Sequence, residues 1–322
     1  MKYAAKRIAM LLVTMVIVSL LAFVAFDLIS GDPATAMLGT EATAEKVAAL
    51  REELGLNRPL LVRYGEWLAG FFTGDLGTSY NYSQPVWELI APKVLVTLCL
   101  SVLSFLLITA VSIPMGLWSV RLDGRSGPLW RVLDGFRTAF NQLCMAVPPF
   151  FTGILLTYLF STVLRWFVHG QFPSLTEDFG GAVRYLFFAA VTLAIPRIAM
   201  TVRMLRSTIL GEMQRDYVRT AISRGNDRGG VLRGHVLKNS LVPVVTFLAQ
   251  TMAEIVAGSI VVEQVFAIPG LGRMLVASIS NRDYPVVQAI VVILAFWVVL
   301  AGTVADIINQ RIDPRLRLGG GA

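Results

Sequence analysis

Charge and reactive side chains are scarce in this 322-residue sequence. Charged residues make up only 15% of it against 55% hydrophobic ones, and a soluble domain of this length carries far more charge. Mean hydropathy is +0.67. The two cysteines, Cys99 and Cys144, both fall inside apolar runs, so neither a disulfide framework nor a CxxC metal site is available. With His169 and His235 as the only histidines, a His-rich metal centre is excluded as well. No G-x-x-x-x-G-K-[ST] loop is present to cradle ATP phosphates, and no HExxH. Ser79, in Gly77-Thr78-Ser79, lies outside the apolar runs, and no nucleophile–base pair is suggested on them, so an intramembrane enzyme is the poorer reading. The net charge of +7 does not mark nucleic acid. Arginines cluster in loops flanking apolar runs, without the aromatic–basic interleaving of a nucleic-acid surface.

What the sequence has is apolar length. Six stretches reach the roughly 20 residues needed to cross a bilayer. The first runs from Ile8 to Leu28, directly after Lys2, Lys6 and Arg7. A cleaved signal peptide has an apolar core of roughly 7–15 residues and a small-residue cleavage site. This run is longer and ends in Phe26-Asp27-Leu28, so it is read as a retained span. The others cover approximately 94–120, 137–164, 184–204, 239–265 and 286–308. Pro114, Pro148-Pro149 and Pro196 lie in or near the ends of three of them. Proline in a span is tolerated where neighbouring helices or water satisfy the freed carbonyls, which places these helices in a bundle. The expectation is an all-α integral membrane protein with six transmembrane helices. It divides into an N-terminal span (1–28), an external segment (29–93) and a five-helix core (94–322).

Lys and Arg in the alternating connections set the orientation. With the N-terminus inside, 18 lie on the cytoplasmic side: three at the N-terminus, four around 121–137, eight from Arg203 to Lys238 and three from Arg311 on. Nine lie opposite, five of them spread through 29–93. Long translocated segments weigh little in this rule, so both termini are expected in the cytoplasm. Within 29–93, Val47, Leu50 and Leu54 share a helical face, Glu45 favours the first turn and Gly55 reads as the stop. Trp67, Phe71, Phe72 and Trp87 then alternate with Gly70, Gly74 and Gly77, as in a small lid on the membrane face.

The cytoplasmic loop 205–236 holds the most informative segment, Asp216-Tyr217-Val218-Arg219-Thr220-Ala221-Ile222-Ser223-Arg224-Gly225. Tyr217, Val218 and Ala221 share a face, arginines take the other, and Gly225 can stop the helix. That pattern suits a short helix docking against something at the membrane surface.

This segment resembles the loop by which membrane subunits of bacterial ABC importers engage their ATPases, whose usual wording is Glu-Ala-Ala, three residues, then Gly. Here the triplet is Arg219-Thr220-Ala221, and Asp-Tyr-Val-Arg-Thr-Ala resembles the variant of dipeptide, oligopeptide and nickel permeases. Gly31-Asp32-Pro33-Ala34, Leu54-Gly55-Leu56 with Pro59 and Tyr64, and Gly74-Asp75-Leu76-Gly77-Thr78-Ser79 repeat that family's wording. So do Glu263 to Arg273, Asn281-Arg282-Asp283-Tyr284-Pro285 and Asp313-Pro314-Arg315. The Ile-x-Leu-Pro of many importer permeases is replaced by His235-Val236-Leu237-Lys238, with the proline later at Pro243, as in the peptide branch. His235 reads as a backbone-bonded residue at the membrane re-entry rather than a proton relay.

The resemblance implies a type I ABC importer permease fold with a cytoplasmic coupling helix, and the N-terminal-type permease of a pair. It implies contact with the ATPases through Asp216, Tyr217, Arg219, Thr220, Ala221, Gly225 and Asn226. It further implies a second homologous permease, two cytoplasmic ATPases that bind the ATP, and an extracytoplasmic solute-binding protein, in a bacterial inner membrane. No catalytic, cofactor or metal residue is expected in this chain. The solute is expected to be a di- or oligopeptide, with nickel, a metal chelate or glutathione as the alternative.

An ion-coupled secondary transporter is the rival from another class; such proteins place carboxylates at mid-membrane and show inverted repeats. Glu254 reads as the one acidic residue well inside a span, Asp27 and Asp306 lying near ends, and no repeat is present. Glu254 either lines the pathway, with Ala253 and Ala257, or pairs with Arg197; both readings stand open. Ala249, Ala253 and Ala257, with Gly258 beside them, have the spacing that lets two helices approach closely.

Overall fold

The computed structural model describes residues 2–28, 32–123 and 127–312. Gly31, Arg125, Asp313-Pro314-Arg315 and the terminal glycines lie outside the described residues. So do the side chains of Lys2, Lys6, Arg7, Asp27, Arg228 and Arg311, on which parts of the orientation count rest.

Helices dominate, and among the described residues the only β pairing is an isolated bridge between Thr78 and Pro85. Among the described residues, five helices are long and apolar enough to cross a membrane: Ile8–Ala25, Val86–Leu122, Phe179–Glu212, Gly229–Val265 and Tyr284–Ile308. The remaining expected span, 137–164, is not a single rod. It is built from α6 (Pro128–Ala146) and a helix over Pro149–Val163, bent by 97°. A residue preceding proline is pushed out of the helical region, and Val147 and Pro148 are both extended, with ψ of 123° and 141°. Counting that pair as one span gives six.

The chain divides into two compact units. The first comprises residues 1–98 and 267–299. Here α1 (Lys2–Leu28) carries α4 (Leu60–Thr73), and the Ser19 and Tyr64 hydroxyls are 2.9 Å apart. Phe23, Tyr64, Trp67 and Phe71 continue the contact as a chain of rings with centroids 5.5–6.3 Å apart. Before α4 come α2 (Pro33–Leu38) and α3 (Ala44–Glu53), whose end at Gly55 (φ +64°) matches the stop read from the sequence. Helix α4 was not legible as a helix. It closes at Gly74 (φ +87°), where a Cβ on Gly70 would lie 2.7 Å from the Asp75 carbonyl oxygen.

Helix α5 (Val86–Asp123) begins eight residues before its apolar run, inside the segment expected outside the membrane. Its 38 residues extend about 57 Å, against an apolar layer of about 30 Å, so part of it projects.

The second unit, residues 99–266 and 300–322, is organised by α8 (Phe179–Glu212). Helix α8 packs against α6, α7 (Pro149–Thr157) and α11 (Leu237–Val265). Helices α8 and α11 approach closely at Gly258, where a Cβ would sit 3.2 Å from Leu193 Cδ2. The Tyr185 hydroxyl donates to the Phe266 carbonyl at 2.6 Å and accepts from Gly170 N–H. Phe167 meets the Tyr185 ring edge-on and stacks on Phe188.

Candidate functional site

Between α8 and α11 the chain leaves the apolar core and forms α9 (Asp216–Ser223) and α10 (Arg228–Val231). Asp216 opens α9, where a negative charge complements the helix dipole. The far end is a glycine-terminated cap: Gly225, at φ +86°, donates to Ile222 O at 2.9 Å, and Asn226 N–H donates to Ala221 O at 3.3 Å. These two bonds are the 5→2 and 6→1 pair that satisfies the last carbonyls of a helix. The Asn226 side chain adds a third bond to Ala221 O at 3.0 Å. A Cβ at Gly225 would meet no atom within 4 Å, so backbone conformation, not crowding, selects glycine there. Asp227 then caps α10 by accepting from Gly230 N–H at 3.0 Å.

The faces of α9 differ from the simple division expected. Val218 is buried within the chain, 1% exposed, so it anchors α9 to its own subunit. Ala221 is half-buried, while Tyr217 and Ile222 are exposed. Ile222 was missed because only the Tyr217–Val218–Ala221 face was considered. Tyr217 donates to Glu212 at the end of α8, at 2.8 Å. Partial desolvation, with the Glu212 contact and charge, raises its phenol above the usual range, against opposing contacts from Asn239 and Arg215. Arg219 and Asp216 lie 3.9 Å apart on a fully solvated surface, and Thr220 caps the Asp216 carbonyl at 3.0 Å. The seven expected contact residues thus lie along one ordered helix and its cap.

Within the spans, Arg197 of α8 and Glu254 of α11 form an ion pair. The Glu254 side chain keeps 48% exposure, and Ala257 is exposed one turn on, with Ala253 half-buried. The pair therefore exists and still presents a face outward. Lipid is a costly environment for that face, which favours water or protein beside it. Glu254 is not the most buried carboxylate: Glu263, near the end of α11, is 0% exposed. The sequence placed Glu263 in a motif without registering its burial.

In the first unit, the Asp283 carboxylate is completely buried. It accepts from the Ser79 hydroxyl and from Tyr80 N–H at 3.0 Å, and Tyr82 N–H donates to Ser79 Oγ at 3.1 Å. Asp283 follows α12 (Leu271–Ser280), a short helix with one buried face between the last two expected spans, and precedes α13 (Tyr284–Ile312). Ser79, Tyr80 and Tyr284 help wall a cavity of about 620 Å3. Burial raises the Tyr80 phenol, with Arg63 opposing and Asp283 adding to the rise. Among the described residues no group of His, Cys, Asp and Glu could hold a metal ion.

Residues 128–318 match the family described as "Binding-protein-dependent transport system inner membrane component". Residues 1–101 match its N-terminal companion, "Binding-prot-dependent transport system membrane comp, N-term". A Brucella abortus (strain 2308) protein, provisionally named a peptide transport system permease, is 38% identical over 97% of this chain and 98% of its own length. The oligopeptide transport system permease protein AppB of Bacillus subtilis (strain 168) is 34% identical over 98% of each. The glutathione transport system permease protein GsiC of Salmonella choleraesuis (strain SC-B67) is 34% identical over 98% of this chain and 99% of its own.

Proposed function

The chain belongs to the family of binding-protein-dependent transport system inner membrane components, and from that premise we propose that it is one permease subunit of an ATP-driven importer of di- and oligopeptides. The observation that carries the reading is similarity along almost the whole chain to permeases named for peptide transport. Glutathione is itself a tripeptide, so the relative named for it falls in the same chemical class.

In this reading the chain catalyses no reaction and binds no nucleotide. Two cytoplasmic ATPases bind and hydrolyse ATP, a sister permease completes the pathway, and an extracytoplasmic binding protein delivers the solute. Both termini lie in the cytoplasm of a bacterial inner membrane. Helix α9 transmits the ATPase movement. Its buried Val218 joins it to the second unit, and its exposed Arg219 and Ile222 are placed to meet a partner. Because α9 is tied to the end of α8 through Tyr217 and Glu212, displacement of α9 moves α8, the helix that packs on α6, α7 and α11. Arg197 and Glu254 ride on α8 and α11 and form the charged part of the pathway wall, with Ala253 and Ala257 beside them.

A cysteine introduced at Ile222 tests this directly. It should cross-link to an ATPase subunit in the assembled transporter, and reporters fused after Gly229 and near Tyr80 should lie on opposite sides of the membrane. No cross-link in an assembled complex would refute the coupling role of α9; reporters on one side would refute the topology.

A further inference from the structure

A cleft of about 490 Å3 lies within the second unit, walled by α5, α6 and α8. Its walls are helical stripes: Val111, Met115 and Trp118 on α5, Arg137, Phe140 and Cys144 on α6. From α8 come Ile195, Ile198 and Val202, then Arg203 and Arg206.

The cleft has two chemically different ends. Read along the helix directions, Val111, Cys144 and Ile195 lie toward one end. Trp118, Arg137, Arg203 and Arg206 lie toward the other, where α5 ends and α6 begins. Ile195 and Arg206 are about 16 Å apart along the helix axis. Arg137 is partnered by Asp134. Arg203 is exposed and carries no ion pair among the described residues. Among the described residues no carboxylate lines the cleft.

We propose that this cleft binds an anionic phospholipid, its phosphate at Arg203 and Arg206 and an acyl chain along Met115, Phe140 and Ile198. A basic pocket between transmembrane helices at the level of the headgroups suits an anionic lipid. Beyond the arginines, Val111, Met115, Phe140, Ile195 and Ile198 form a stripe that matches a hydrocarbon chain, with the polar Ser119, Thr138, Asn141 and Gln142 beside it. A zwitterionic peptide fits poorly, because its ammonium group would face Arg137, Arg203 and Arg206, and the neighbouring Asp134 is already paired with Arg137. Trp118 stands at the cationic end, the depth at which indole rings favour the membrane interface. In the orientation proposed above, that end lies in the cytoplasmic leaflet.

The test uses the assembled transporter in phosphatidylcholine nanodiscs doped with a photoactivatable phosphatidylglycerol, followed by peptide mapping. Both leaflets present the same probe, so the result does not depend on the orientation or on the coupling role of α9. Cross-links are expected on the α6 and α8 peptides that line the cleft. The double variant Arg203→Gln/Arg206→Gln should lower them at least fivefold. The double Arg→Lys variant should retain them, and co-purification of the partner subunits checks that both variants assemble. Inorganic phosphate at millimolar concentration should not compete. Equal labelling by a phosphatidylcholine probe, or labelling unchanged in the Gln variant, would overturn the proposal. Competition by phosphate would assign the cleft to a free anion instead. Absent lipid labelling together with cross-linking of Cys144 to the sister permease would assign it to a protein interface.

Discussion

The Ser79 hydroxyl donates a 2.5 Å hydrogen bond to the Asp283 carboxylate, joining positions 204 residues apart. The bond fastens the turn after α4 to the start of α13. Asp283 also accepts from Tyr80 N–H, and its own carbonyl accepts from Val287 N–H at 3.0 Å. One buried residue thus ties two loops together through its side chain and opens a helix through its carbonyl.

Replacing Asp283 with Ala leaves the Ser79 hydroxyl and the Tyr80 amide without their acceptor inside the protein. The cost should be about 3 kcal/mol, since charged acceptors of buried donors rank among the stronger contacts. The purified complex should melt earlier, and limited proteolysis should cut near Tyr80. Asp283→Asn, which still accepts one bond, should fall between. An Ala variant as stable and as protease-resistant as the parent would contradict this role.

How much of this was legible in the sequence depended on range. The stops at Gly55 and Gly225 were readable because a left-handed cap is a local requirement, and both have positive φ. The apolar runs announced the spans for the same reason. The Ser79–Asp283 contact was not readable, although both residues stood in quoted motifs, because nothing in either segment names its partner. Pro148-Pro149 was seen but treated as tolerated within a span, whereas its backbone demands break the helix. Helices α4 and α12 were hidden because glycines and a Pro-Gly turn surround short apolar stretches. On α9, an amphipathic pattern revealed the helix but not that Val218 would be taken up by the chain itself.

Gly225 separates conformational strain from bulk. Its φ of +86° is costly for β-branched residues, by of order 1 kcal/mol or more, and less so for Asn. With open space around the position, Gly225→Asn should retain most transport and Gly225→Val should lose it, at equal membrane levels. Ala221→Asp should lose transport as well, by placing a charge on the half-buried side of α9. Uptake and ATPase co-purification measured together check this. Near-normal uptake by the Val variant would reduce Gly225 to a linker residue.

The Arg197–Glu254 pair sets a different expectation. Neutralising one partner leaves the other charge unpaired inside the membrane. Fully buried pairs broken in this way cost roughly 3–5 kcal/mol; with Glu254 half-exposed, about 2 kcal/mol is expected. Glu254→Gln should therefore lower the melting temperature of the complex, and Glu254→Gln/Arg197→Gln should recover most of the loss. In the single variant ATP hydrolysis should remain coupled to uptake. An unchanged melting temperature in the single variant would show that the pair contributes nothing to stability.

We propose that this chain lines a pathway driven by ATP hydrolysed in partner subunits. The most direct test is peptide uptake into proteoliposomes containing the complete transporter and its binding protein, with internal ATP held constant while a protonophore removes the proton gradient. Uptake should stop without ATP and persist without the gradient. Uptake that collapses with the gradient while ATP is maintained would contradict it.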